Sequence, residues 1–156
     1  MTATGRPYDP SVDTSTSAVR VLVLCTGNSC RSILAEALFR ELGGDRVEVS
    51  SAGSHPAGRV DPRTEAVLDE ARIDHAWARS KSMTELFARP FDHVVTVCDD
   101  AAEVCPTFPG PAVRTHWSIP DPAAARGTAA EQLEVYRATF RDLRERIAGF
   151  LATLEP

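Results

Sequence analysis

The run VRVLVLCTGNSCRSILAEALFRELGG, residues 19–44, constrains the chain more than any other feature. Residues 19–24 are a short Val-rich apolar run, the signature of a buried strand. A loop of small residues, CTGNSCRS, follows at once. Then Ile33, Leu34, Ala37, Leu38 and Leu42 recur at helical spacing, and Gly43 and Gly44 supply the stop. A strand that turns directly into a helix opens a βαβ unit and predicts a parallel sheet.

The rest of the chain continues the alternation. Residues 47–51 (VEVSS) read as a second strand. Asp61-Pro62 starts a helix, with Asp as cap and Pro in its first turn, that is expected to run to about Ile73. A short helix is predicted at Met83–Ala88, a third strand at residues 91–98 and a fourth at Ala112–Trp117. Leu133, Tyr136, Phe140, Leu143, Ile147 and Leu151 mark a long amphipathic helix from Thr128 to about Leu154. The predicted fold class is α/β, a small four-stranded parallel sheet with helices on both faces. Residues 1–18, rich in Ser, Thr, Pro and Asp, are expected to be a disordered tail, and residues 19–156 one domain.

In such sheets, sites lie beyond the carboxyl ends of the strands. The loops at 25–31, 98–111 and 118–127 each follow a strand, so they should converge, and all four cysteines lie in or beside them. The formal net charge of -5 and a pI near 5.3 argue against a general nucleic-acid partner. No apolar stretch has the length of a membrane span, and the N-terminus lacks the pattern of a secretion signal. The expected setting is the cytoplasm, where cysteines are catalytic or metal-binding rather than structural disulfides. Neither Cys25-x4-Cys30 nor Cys98-x6-Cys105 has zinc-ribbon spacing, and a site using Cys25 would place Arg31 beside the cation, so no metal is predicted.

Cys25-Thr26-Gly27-Asn28-Ser29-Cys30-Arg31-Ser32 fits C-x5-R-[ST]. A tetrahedral oxyanion needs several donors at once. A tight loop ending at a helix N-terminus points successive N–H groups inward and adds the helix dipole. Gly27 permits the turn, and Arg31 can clamp two oxygens. The same positive nest favours the thiolate of Cys25, and Ser32 can donate its hydroxyl to it. Thr26, Gly27, Asn28, Ser29, Cys30, Arg31 and Ser32 are therefore the candidate oxyanion binders. The Cys30 side chain is expected to point away from the anion.

VLCTGNSCRS resembles the active-site loop of the low-molecular-weight protein tyrosine phosphatase fold, which thioredoxin-coupled arsenate reductases share. The resemblance covers the chain from about Val19 onward. Arsenate and phosphate have nearly the same shape and charge, so the loop alone does not separate the two activities. A phosphatase needs one cysteine. Arsenate reduction takes two electrons from the protein, so one thiol must attack another, and a third can take over the disulfide. TVCDDAAEVCPTFPG is similar to the redox loop of the reductases and implies Cys98 and Cys105 as those thiols. SIPDP places Asp121-Pro122 where the family keeps a general acid, whose pKa burial would raise. Ala123, Ala124 and Ala125 stand where the tyrosine phosphatases carry aromatic residues, which favours a small inorganic substrate. His116-Trp117 looks like the reductase version, with Trp117 a packing residue. His55, His75 and His93 receive no role.

Some family members hold potassium through residues matching Asn28, Glu36 and Ser51 and an Asp on a later loop. That last position falls on Lys81, whose ammonium is expected to take the cation's place and bond Asn28. No potassium and no cofactor are predicted. The resemblance thus implies an arsenate reductase with Cys25, Arg31, Cys98, Cys105 and Asp121 as catalytic residues; a monomer is expected. Arsenate is the substrate, and thioredoxin or a low-molecular-weight thiol is the electron donor. The alternative is a tyrosine or small phosphate-ester phosphatase.

Overall fold

The computed structural model describes residues 18–99 and 106–154. Its sheet has four parallel strands: β1 (Val19–Cys25), β2 (Val47–Gly53), β3 (His93–Thr96) and β4 (Val113–His116), in spatial order β2-β1-β3-β4. Three α-helices accompany them: α1 (Arg31–Gly43), α2 (Pro62–Glu70) and α3 (Ala129–Thr153).

The central place of β1 explains its continuous apolar run. Val21, Leu22, Val23 and Leu24 are all 0% exposed, because neighbouring strands flank them and both faces are covered. Val21, Val23, Val95 and Val97 pack with the apolar faces of all three α-helices, including Ile33, Leu34, Leu68, Tyr136, Leu143 and Ile147. Leu22, Leu24 and Val94 face the other way, against Leu86 and Phe108. The three α-helices therefore share one face, and the expectation of helices on both faces is corrected: among the described residues the other face carries no α-helix. The second face carries a 3₁₀ turn, Met83–Leu86, and loop residues stacked around Phe108.

Several boundaries differ from expectation. Helix α2 ends at Glu70 rather than Ile73. Arg72 turns left-handed at φ 60°, while Arg72 N–H and Ile73 N–H donate to Asp69 O and Leu68 O. That is a Schellman closure, and Ile73 keeps its apolar contact from outside the helix. The strand expected at 91–98 forms a ladder only over His93–Thr96, against β1 on one side and β4 on the other. The predicted helix at 83–88 is the 3₁₀ turn, capped by the Ser82 side chain. Helix α3 starts with a reciprocal capping box between Thr128 and Glu131. Of the expected tail, residues 1–17 lie outside the described residues.

Candidate active site

Strand β1 ends at Cys25 and α1 begins at Arg31, so the intervening residues must turn tightly at the carboxyl edge of the sheet. Asn28 takes a left-handed conformation, φ 48°, which puts its N–H 3.2 Å from Cys25 Sγ. Cys25 is 2% exposed.

A nest of inward N–H groups requires outward carbonyls, and each outward carbonyl needs a donor. The segment after β2 supplies them. Ser54, His55 and Ala57 N–H groups donate to the carbonyls of Cys25, Thr26 and Gly27. Ser80 Oγ also donates to Gly27 O, and is itself held by Gly58 N–H. Ser29 O accepts from Asp61 N–H and from Thr64 Oγ1, both at 3.0 Å. Gly53 lets this belt close: a Cβ there would lie 2.4 Å from Thr26 O and 3.1 Å from Asn28 N.

Beneath the loop, one amide distributes hydrogen bonds. Asn28 Oδ1 accepts from Lys81 N–H at 2.9 Å, which fixes the orientation of the amide. Asn28 Nδ2 then donates to Ser32 Oγ at 2.7 Å and to Ser51 Oγ at 3.0 Å. Ser51 passes its own proton to Glu36 Oε1 at 2.6 Å, and Arg40 grips Glu36 Oε2 at 2.8 Å. By the same logic Ser32 has its proton free for Cys25 Sγ, 2.9 Å away. The Lys81 expectation is corrected here. Its main-chain N–H, not its ammonium, bonds Asn28, and Nζ donates to Arg79 O. Burial lowers the ammonium's pKa, with the charge of Glu36 opposing that shift.

Arg31 is 4% exposed and donates from one guanidinium nitrogen to Ile119 O at 3.0 Å. Its other terminal nitrogen stands 3.9 Å from Asp121 Oδ2, an ion pair rather than a hydrogen bond. Asp121 caps the 3₁₀ turn Pro122–Ala124 by accepting from Ala123 N–H. Its side chain is 42% exposed, so the burial expected for it is absent. The structure thus brings Cys25, Arg31 and Asp121 to one edge. Cys30 joins the core on the helix face, where burial pushes its thiol pKa up against a hydrogen bond with Thr64.

Strands β1 and β3 pair with Leu24 opposite Thr96, and Val97 N–H donates to Leu24 O at 2.9 Å. Cys98 follows directly, fully buried and disulfide-bonded. Cys105 lies outside the described residues. His116 Nδ1 bonds Thr96 Oγ1 across β3 and β4, and Trp117 packs on Phe150. His75 pairs with Asp69, and the His93 ring packs edge-on against Phe150. Among the described residues no group of three or more His, Cys, Asp or Glu converges on a metal position.

Sequence reasoning missed the belt. Its donors are mostly main-chain N–H groups, which carry no residue signal. Ser80 and Thr64 are polar residues of ordinary type, 53 and 35 positions from their acceptors. Only Gly53, beside a run of small residues, hints at a close approach.

The family model described as low molecular weight phosphotyrosine protein phosphatase matches residues 20–156. An arsenate reductase of Halalkalibacterium halodurans is 38% identical over 133 residues, 85% of this chain and 95% of that protein. The crystal structure of an arsenate reductase from Archaeoglobus fulgidus superposes with a TM-score of 0.72 at 29% identity, covering 85% of this chain and 98% of that one. A thioredoxin-dependent arsenate reductase of Corynebacterium glutamicum gives 0.61 at 29% identity, over 88% of this chain and 66% of that one.

Proposed function

The chain belongs to the low molecular weight phosphotyrosine protein phosphatase family, and on that footing we propose that it is an arsenate reductase. The observation that carries this reading is the strand register. It sets Cys98 two positions past Thr96, beside the strand that ends in Cys25. A phosphatase has no use for a second thiol there.

In the proposed mechanism the inward N–H groups of Thr26 to Ser32 and the Arg31 guanidinium hold arsenate over Cys25. The thiolate, accepting from Ser32 and from Asn28 N–H, attacks arsenic. One arsenate oxygen leaves as water, with a proton from Asp121. The bond formed is Cys25 Sγ–As, and arsenic is still pentavalent. Cys98 thiolate then attacks Cys25 Sγ. The S–As bond breaks, its electron pair stays on arsenic, and arsenite leaves with a Cys25–Cys98 disulfide behind. Cys105 attacks Cys98, freeing Cys25. A dithiol donor of the thioredoxin kind reduces Cys98–Cys105.

Three features support the relay. Cys98 is disulfide-bonded while Cys25 and Cys30 are free thiols. The relatives compared above are arsenate reductases, one of them thioredoxin-dependent. The three alanines after the acid leave no aromatic slot for a phosphoaryl group. Cys98 must leave its buried position to serve two partners in turn. We place the protein in the cytoplasm as a monomer. Among the described residues no helix is long and apolar enough to cross a membrane.

The test is arsenate-dependent NADPH oxidation with thioredoxin and its reductase, beside para-nitrophenyl phosphate hydrolysis. Arsenate turnover with only slow ester cleavage is expected. Ester turnover without an arsenate-dependent signal would replace the reductase by a phosphatase.

A further inference from the structure

We propose that Tyr136 is a positioning residue for the oxyanion-binding loop, acting through Asp61, which ties the outer edge of that loop at Ser29. The inference rests on the reading of residues 25–32 as an oxyanion site.

Tyr136 is 0% exposed in the middle of α3, yet its hydroxyl reaches Asp61 Oδ2 at 2.6 Å. Asp61 is a junction. Its Oδ1 accepts from Arg63 N–H at 2.8 Å and caps α2, and its own N–H donates to Ser29 O at 3.0 Å. The Arg63 guanidinium lies 4.6 Å over the Tyr136 ring and also reaches Gln132 on α3. Thr64, in the first turn of α2, gives Ser29 O its second donor.

The consequence is geometric. If the Ser29 carbonyl rotates inward, the peptide it shares with Cys30 turns the Cys30 N–H outward, and the nest loses a donor while gaining a repelling oxygen. Two donors on α2 and its cap hold that carbonyl out. The cap's main chain is held in turn by its side chain, and one oxygen of that side chain answers to Tyr136. The remaining belt carbonyls are held by loop residues 54–57 and Ser80, none of which lies on α3. Tyr136 is thus a point at which the long helix directly meets the residue that sets the loop. The phenol hydroxyl is otherwise a costly group to bury, and this carboxylate satisfies it.

The measurement is the dissociation constant of inorganic phosphate, read by calorimetry on the reduced full-length protein. Tyr136→Phe keeps the ring and the core packing and removes the hydroxyl. It should weaken phosphate binding about five- to tenfold, less than the full loss of a hydrogen bond to a charged group, because the effect reaches the anion only through Asp61 and Ser29. Asp61→Ala should weaken it at least as much. Asp61→Asn, which still caps α2 and can pair with the phenol, should restore most of it. Phe140→Leu, one turn along α3 and away from Asp61, should lower the melting temperature and leave phosphate affinity within twofold. Equal affinity in Tyr136→Phe and wild type would overturn the inference alone. So would an equal loss in Phe140→Leu, which would mark a merely structural effect. Wild-type protein that binds no phosphate, or binding indifferent to Arg31→Lys, would overturn the oxyanion reading and this inference with it.

Discussion

Ser32 Oγ lies 2.9 Å from Cys25 Sγ and accepts from Asn28 Nδ2 at 2.7 Å, so its own proton is available to a Cys25 thiolate, which has none to give. The orientation of that amide follows from a backbone contact 53 residues away, Lys81 N–H on Asn28 Oδ1.

Ser32→Ala should therefore slow the first chemical step without disturbing the fold. The hydroxyl stabilises the charged sulfur, and hydrogen bonds to charged groups contribute roughly 1.5–3 kcal/mol. Single-turnover arsenite release should fall about ten- to a hundredfold. An unchanged rate would mean that Cys25 needs no donor beyond the loop N–H groups.

Asp121→Asn keeps an oxygen to cap the Pro122–Ala124 turn but has no proton to give. The kcat for arsenate reduction should fall about a hundredfold, the low end of the ~10²–10⁴ range for general acid catalysis. Phosphate affinity should hold or tighten, because a negative charge 3.9 Å from Arg31 is removed. Loss of affinity with kcat intact would make Asp121 a binding residue.

Removing each later thiol should arrest the relay at a different covalent state. Cys105→Ser should release one equivalent of arsenite and accumulate a Cys25–Cys98 disulfide, seen by mass spectrometry of unreduced peptides. Cys98→Ser should release none without an added thiol. A full equivalent from Cys98→Ser would give its step to another group.

Asp61 supplies a pH dependence. Burial alone would raise its carboxyl pKa, but the Tyr136 hydroxyl and the Arg63 N–H and guanidinium together hold it below the usual value. A carboxyl with a lowered folded-state pKa adds stability that is present above the unfolded pKa, about 3.9, and is lost as pH falls through the folded value. The melting temperature of wild type should exceed that of Asp61→Asn at pH 6. The gap should shrink below about pH 4. Parallel curves down to pH 2 would show that Asp61 does not feel its partners.

Periodicity and local pattern made much of the architecture legible. The buried run of β1, the stripe of α3 and the Asp61-Pro62 start appear in the structure close to their expected positions. Such signals survive because they are local: a 3.6- or 2-residue period depends only on which face is buried. The ends of α2 and β3 were not legible: α2 closes at a left-handed Arg72, a conformation that its residue type does not announce, and the β3 ladder is settled by strands distant in sequence.

The sequence by itself determined the chemistry of the loop: C-x5-R-[ST] between a strand and a helix names the thiol, the guanidinium and the hydroxyl, all within eight consecutive residues. Only the tertiary structure decided how that loop is held. Its carbonyls bind donors from residues 54–64 and Ser80, its Asn28 amide is oriented by Lys81 N–H, and Asp61 is braced by Tyr136. The reason is physical. An inward N–H is a property of the peptide plane, the plane is set by whatever satisfies the carbonyl on its other side, and a main-chain donor has the same chemistry whichever side chain it carries.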